Sequence, residues 1–248
     1  MRLQVFLSHS GACSRRKALD LILSGCVTVD GKTILEPSYQ LTSSSLSVAL
    51  NGKRVLPHKE NIYILLNKPK GVTTTKSDRF AEHKILDVLP PQFKGLYPVG
   101  RLDKDTTGLI LLTNDGILTH RMSHPSFEVD KAYRVVLDKP LKLHDKYKIE
   151  KGVLLDAEMT SLCRITLAQP WRSGPRLGLV NRGQEVEIVI REGSKRQVRR
   201  MFAALRYHVK ELTRIRQGSL ELGNLKEGQW RFLTKDEVER LRAALKII

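Results

Sequence analysis

Cysteine is scarce in these 248 residues: Cys13, Cys26 and Cys163 are widely spaced, and no CxxC pair occurs. That pattern gives neither a disulfide framework nor a zinc cluster, and it reads as reduced core thiols in a cytoplasmic protein. His83, His120 and His124 lack HExxH spacing, so no metal site is expected. The chain also has no GxGxxG fingerprint and no GxxxxGKS phosphate loop. No apolar run is long enough to span a bilayer, and the N-terminal MRLQVFLSHSG is too short in its apolar stretch for a secretory signal. Neither export nor a membrane partner is indicated. Acid is the other scarcity: 26 Asp and Glu face 43 Lys and Arg, a formal net charge of +17. Such an excess points to a polyanionic partner.

What is present divides in two. Residues 1–58 read as a small module and 59–248 as a larger domain, joined by a linker at Pro57, His58 and Lys59. In the module a helical stretch from Arg2 to Ser8 precedes a turn at Ser10-Gly11, and Ser14 is placed to cap a second helix that Gly25 stops. Ala18, Leu21 and Ile22 give that helix its apolar face. Its first turn is Arg15-Arg16-Lys17, three cations that oppose the helix dipole, so contact with phosphate explains them better than helix stability does. CVTVDGKTI then alternates about an Asp30-Gly31 hairpin turn, and one further strand fits SLSVALNGKRV. Two basic helices followed by a hairpin resemble the S4 RNA-binding domain.

From about Asn61, strand-like runs (YILLNK, GLILLT, YRVVL, CRITL, EVEIVI) outnumber helices, which predicts an α+β domain on a mixed, mostly antiparallel sheet. TSSS at 42–45 and the Gly/Pro-rich 169–183 read as loops. The final TKDEVERLRAALKII has a capping-box pair, Thr234 and Glu237, and an apolar stripe of Val238, Leu241 and Leu245.

The stretch VGRLDKDTTGLILLTNDG, 99–116, holds the chemistry-bearing residues. Arg101 and Lys104 flank Asp103 just before an apolar strand, a suitable setting for work on a phosphate-bearing substrate. From Lys195 to Arg206, Val198, Met201, Phe202 and Leu205 share one helical face and Lys195, Arg196, Arg199 and Arg206 the other. Nine Lys or Arg and two Glu fall between Arg191 and Arg216, so the charge excess is concentrated there, and Arg214 and Arg216 are expected to extend that basic surface.

GRLDKDTTGLILLTNDG resembles the catalytic motif of pseudouridine synthases of the branch with an N-terminal S4 domain. The similarity continues through YILLNKPKGVTTT, HPSFEVDKAYRV and REGSKRQVRRMFAALRYHVKELTRIRQG. It implies that Asp103 is the catalytic aspartate, that Tyr133 meets the target base, and that Arg199 pairs with Asp103 and favours its ionised form. Arg15, Arg16, Lys17, Arg101, Lys104, Lys195, Arg196 and Arg200 are the candidate RNA contacts. Ser194 and Lys195 stand where large-subunit enzymes of the branch usually have Arg-Asn. The resemblance implies a monomer that needs no cofactor and acts on ribosomal RNA or an assembly intermediate, the large subunit being preferred over the small. Two routes remain open: attack of the carboxylate on the ribose C1′, or removal of the C2′ proton. The rivals are a non-catalytic S4 protein and a hydrolase pairing Asp103 with Asp105 or Asp115.

Overall fold

The computed structural model describes residues 1–42, 46–56, 60–75, 82–167 and 184–247. The linker expected at 57–59, the loop at 169–183 and all but one residue of that at 42–45 lie outside these. The chain forms two compact units, one of Met1–Ile62 with Asn114–Gly116, the other of Tyr63–Thr113 and Ile117–Ile248.

In the first unit helices α1 (Leu3–His9) and α2 (Arg15–Leu23) precede strands β1 (Val27–Val29), β2 (Lys32–Thr33), β3 (Val48–Leu50) and β4 (Lys53–Val55), which form an antiparallel sheet in the order β2-β1-β3-β4. The Ser14 side chain accepts the Lys17 N–H and caps α2. At the other end Gly25, with φ +74°, donates to the Ile22 carbonyl while Cys26 donates to that of Leu21, closing the helix with a left-handed residue. Leu3, Leu7, Ala18, Ile22, Val27, Val29 and Val48 make the core, with Leu21 only partly buried against it. The single strand expected in SLSVALNGKRV is two. Asn51 (φ +50°) and Gly52 (φ +76°) reverse the chain as Asp30 (φ +47°) and Gly31 (φ +79°) do, because both pairs tolerate the left-handed conformation a tight hairpin needs.

The second unit is built on one large sheet. Its strands are β5 (Tyr63–Lys68), β6 (Tyr97–Pro98), β7 (Thr107–Thr113), β8 (Lys131–Leu137), β11 (Arg164–Leu167), β12 (Glu185–Ile190), β13 (Val209–Gln217), β14 (Leu220–Glu221) and β15 (Trp230–Phe232). The main order is β11-β12-β8-β13-β7-β5-β15, with β14 beside β13 and β6 beside β7. Among the described residues every pairing in it is antiparallel except β13 with β7. A small ribbon, β9 (Leu154–Leu155) with β10 (Glu158–Met159), stands apart. Helices α3 (Gly116–Ser123), α4 (Leu143–Glu150), α5 (Gln197–Ala204) and α6 (Lys235–Ala244) complete the chain. Leu241 and Leu245 pack with Leu65, Leu109, Leu111 and Met122, as the apolar stripe of the last segment predicts.

All three cysteines are free thiols, yet each is only partly buried, so the core placement expected for them is corrected. Burial next to Glu150 and Glu192 pushes the Cys163 thiol up to about 12, far from a reactive thiolate.

Candidate active site

The segment between β6 and β7 carries Arg101 to Thr106, and its neighbours fasten it on both sides of Asp103. Thr74 Oγ1 donates to the Leu102 carbonyl at 2.8 Å and accepts the Leu102 N–H at 3.2 Å, fixing the residue before the aspartate. The Lys104 carbonyl, one residue after it, receives the Gly71 N–H at 2.8 Å and lies 3.5 Å from the Lys68 Nζ. Lys68 is fully buried, and its ammonium also donates to the Pro69 carbonyl at 2.9 Å. Burial pulls its pKa down to about 8 even though the charges of Glu227, Asp105 and Asp103 favour its protonated form.

Asp105 is clamped by the helix that follows β12. Arg196, left-handed at φ +52° where it caps α5, forks onto both carboxylate oxygens at 2.9 Å. Arg199, one turn along, places Nε 3.3 Å from Asp105 Oδ2 without aiming its N–H at that oxygen, donates Nη2 to the Asp105 carbonyl at 3.1 Å, and sends Nη1 to the Val209 carbonyl at 2.8 Å. Partial burial works to raise the pKa of Asp105, but the hydrogen bonds from Arg196 and the charges of Arg199 and Arg196 outweigh it and hold the carboxyl low.

This geometry corrects the pairing expected for Arg199, whose bonded partner is Asp105 and not Asp103. Among the described residues the Asp103 carboxylate makes no hydrogen bond or ion pair, although Lys68, Arg196 and Arg199 all feel its charge. The loop is therefore pinned at Leu102, Lys104 and Asp105 while the carboxylate between them stays uncommitted.

Asp103 lines an open cleft of about 570 Å³. Tyr133 faces it from β8, between Ile188 of β12 and Arg214 of β13; the tyrosine is 8% exposed, and its hydroxyl has no partner among the described residues. Ile190, Val198 and Leu212 supply an apolar wall, while Arg101, Lys104, Lys195 and Arg196 line the cleft as cations. An apolar wall, a phenol, a carboxylate and a basic rim together suit a polar aromatic ring attached to a charged backbone.

Other expected contacts fall differently. Arg15, Arg16 and Lys17 are exposed on the first turn of α2 in the first unit. Arg200 is held by Asp156 at 2.6 Å. Arg214 is 1% exposed, so its expected place on the basic surface is corrected. It lies on a strand flanked by β7 and β8, where Nε donates to the Leu109 carbonyl at 2.7 Å.

Sequence reasoning missed Gln197, 3% exposed on the cleft wall. Its Oε1 accepts the Ser194 N–H at 2.9 Å and its Nε2 bonds Glu192, which receives the Ser161 N–H at 2.9 Å. The strand-like run YILLNK predicts the strand but not the role of Lys68. Its signal was present: a lysine closing the apolar run YILLN on an inner strand has no route to water.

A crystal structure described as a pseudouridylate synthase superposes with a TM-score of 0.68 at 30% identity, over 97% of this chain and 99% of that one. Fold and site thus define an RNA-modifying isomerase with an appended S4 module, residues 1–46 matching the S4 domain model. Residues 62–204 match the model of RNA pseudouridylate synthases, and the chain belongs to that family. It is 38% identical to the ribosomal large subunit pseudouridine synthase B of Bacillus subtilis, over 98% of this chain and 96% of that protein. It is 33% identical to the ribosomal small subunit pseudouridine synthase A of Vibrio vulnificus, over 96% and 98%.

Proposed function

We propose that this protein converts a uridine of large-subunit ribosomal RNA to pseudouridine, with Asp103 as the catalytic carboxylate and Tyr133 against the target base. In this reaction the N1–C1′ bond breaks, the uracil turns in place, the C5–C1′ bond forms, C5 gives up its proton and N1 gains one. Nothing is oxidised and no group leaves. The observation that carries the assignment is the contrast between the two loop carboxylates. Asp105 is consumed by two guanidinium groups, whereas Asp103 opens on the cleft with both oxygens unengaged among the described residues. Either route asks for such a free carboxylate, as nucleophile at C1′ or as base at C2′.

Asp105, locked by Arg196 and Arg199, is unsuited to donate a proton as the second member of a hydrolase pair. The flipped uracil is to stack on Tyr133 while Arg101, Lys104 and Lys195 meet the flanking phosphates, offsetting the few kcal/mol of unstacking. Arg199 acts as a positioning residue, setting the loop through Asp105. The large subunit is preferred because the relative of 38% identity carries that assignment in its name.

The test is tritium release from large-subunit ribosomal RNA labelled at uridine C5. Wild type is expected to release it and Asp103→Asn to lose at least about a thousandfold of the rate, with RNA affinity kept within a few-fold. Normal turnover by Asp103→Asn would defeat the assignment. Release only from small-subunit RNA would move the substrate while leaving the chemistry in place.

A further inference from the structure

We infer that a second nucleotide of the substrate RNA binds in a cleft formed by the turn after α3 and the end of α6, remote from the catalytic loop; this rests on the reading that the substrate is RNA. The chain leaves the catalytic loop along β7, turns through α3 and a 3-10 turn at Pro125–Phe127, and returns along β8 to Tyr133. The rings of His120, His124 and Phe127 therefore stand beyond the opposite end of β7 from Asp103, and the seven residues of that strand span about 20 Å at about 3.3 Å per residue.

Three aromatic rings meet there at the surface. His120 and His124 have centroids 5.1 Å apart, and the Phe127 ring meets His120 at 5.7 Å and His124 at 6.1 Å, both edge-on. Both histidines are exposed and Phe127 is half-buried. A core explains neither the exposure nor the grouping, because a half-buried phenyl ring meeting two exposed imidazoles buries little area.

Cations stand beside the rings. The Arg121 guanidinium lies 4.9 Å from the Phe127 centroid and is held in place by a 3.3 Å bond from Nη1 to the Leu245 carbonyl. Arg121, Phe127 and Lys246 share a cleft of about 320 Å³. The Lys246 ammonium is exposed and makes no hydrogen bond or ion pair among the described residues. His124 Nδ1 accepts the Ser126 N–H at 3.3 Å and lies 2.7 Å from the Ser126 hydroxyl, which fixes the ring against the turn.

Stacking faces, a fixed guanidinium and a free ammonium make up the recognition set for one nucleotide: rings for the base, cations for the phosphate. A protein partner would find little apolar area here, and a free phosphate would leave the rings unused. The substrate would then be gripped at two points, the target base in the catalytic cleft and a more distant base of the same RNA on these rings.

The experiment uses full-length protein and a large-subunit ribosomal RNA transcript containing 4-thiouridine. In the Asp103→Asn background, which leaves this cleft intact, ultraviolet crosslinking is expected to mark the tryptic peptide spanning residues 122–131. Separately, a His124→Ala, Phe127→Leu protein is expected to bind the RNA about tenfold more weakly while its affinity for heparin, charged but without bases, changes less than twofold. Lys246→Glu is expected to weaken RNA binding about threefold and to flatten its salt dependence. No crosslink in that peptide overturns the proposal, as does an equal loss of RNA and heparin binding. Absence of pseudouridine formation by wild type would instead count against the reading of function, since none of these measurements depends on turnover.

Discussion

Gly108 shows at the level of one residue how tightly the strand after the Asp103 loop is bound into the sheet. It pairs with Arg214 across the parallel junction of β7 and β13, at φ +107°, and a Cβ built on it would lie 2.3 Å from the Arg214 carbonyl oxygen. Only a residue without a side chain allows the strands to meet there. Gly108→Ala is therefore expected to destabilise the protein by at least about 3 kcal/mol, through backbone strain and displacement of β13. A denaturant midpoint measurement reads this directly, and an unchanged midpoint would mean that the strands can part without cost. The residues proposed to bear the chemistry are legible in the sequence as types, since GRLDKDTTG and AYR stand out. Their bonding was not. Two aspartates two positions apart compete for the same arginines, and only the left-handed turn at Arg196 decides that its fork reaches Asp105. Arg214 misled for a related reason: polar residues on a strand are taken for a surface until the neighbouring strands are known.

At the level of elements, helix α6 offers a titratable lock. Glu237 accepts two hydrogen bonds of 2.7 Å from Arg231 of β15 and the Thr234 N–H at 2.9 Å, while Thr234 Oγ1 accepts the Glu237 N–H at 3.2 Å. The Arg231 bonds, against partial burial, bring the Glu237 carboxyl down to about 2 from an ordinary 4.5. A carboxylate whose pKa falls on folding stabilises the native state above its unfolded value and gives that up as pH drops from about 4.5 toward 2. Glu237→Gln is expected to lower stability by about 1–3 kcal/mol at pH 7, with the gap to wild type closing across that acid window. Melting curves at pH 7, 5 and 3 test it, and a gap constant with pH would show that the carboxylate's charge is not what is lost. This capping box was visible in TKDE because its signal is local. The Asp30-Gly31 hairpin was equally plain, yet Asn51-Gly52 was read through as one strand, since three residues on each side are too few to show alternation. Strands such as β6 and β14, two residues each, exist only through their partners.

At the scale of the whole molecule, the +17 charge has a measurable consequence. Binding to a polyanion releases counterions, so affinity falls with salt in proportion to the phosphates neutralised. Arg15, Arg16 and Lys17 are exposed in the unit that matches the S4 domain, and reversing all three to Glu is expected to reduce the slope of log affinity against log salt by about 2. Fluorescence titrations from low to moderate salt give that slope, and an unaltered one would remove α2 from the RNA interface. The order of assembly is a further matter. Asp103 precedes β7, but the guanidinium groups that brace its loop are those of Arg196 and Arg199 at the start of α5, and β13, the parallel neighbour of β7, ends only at Gln217. A chain made only as far as β12 therefore has the Asp103 loop without its arginine brace and β7 without its parallel neighbour.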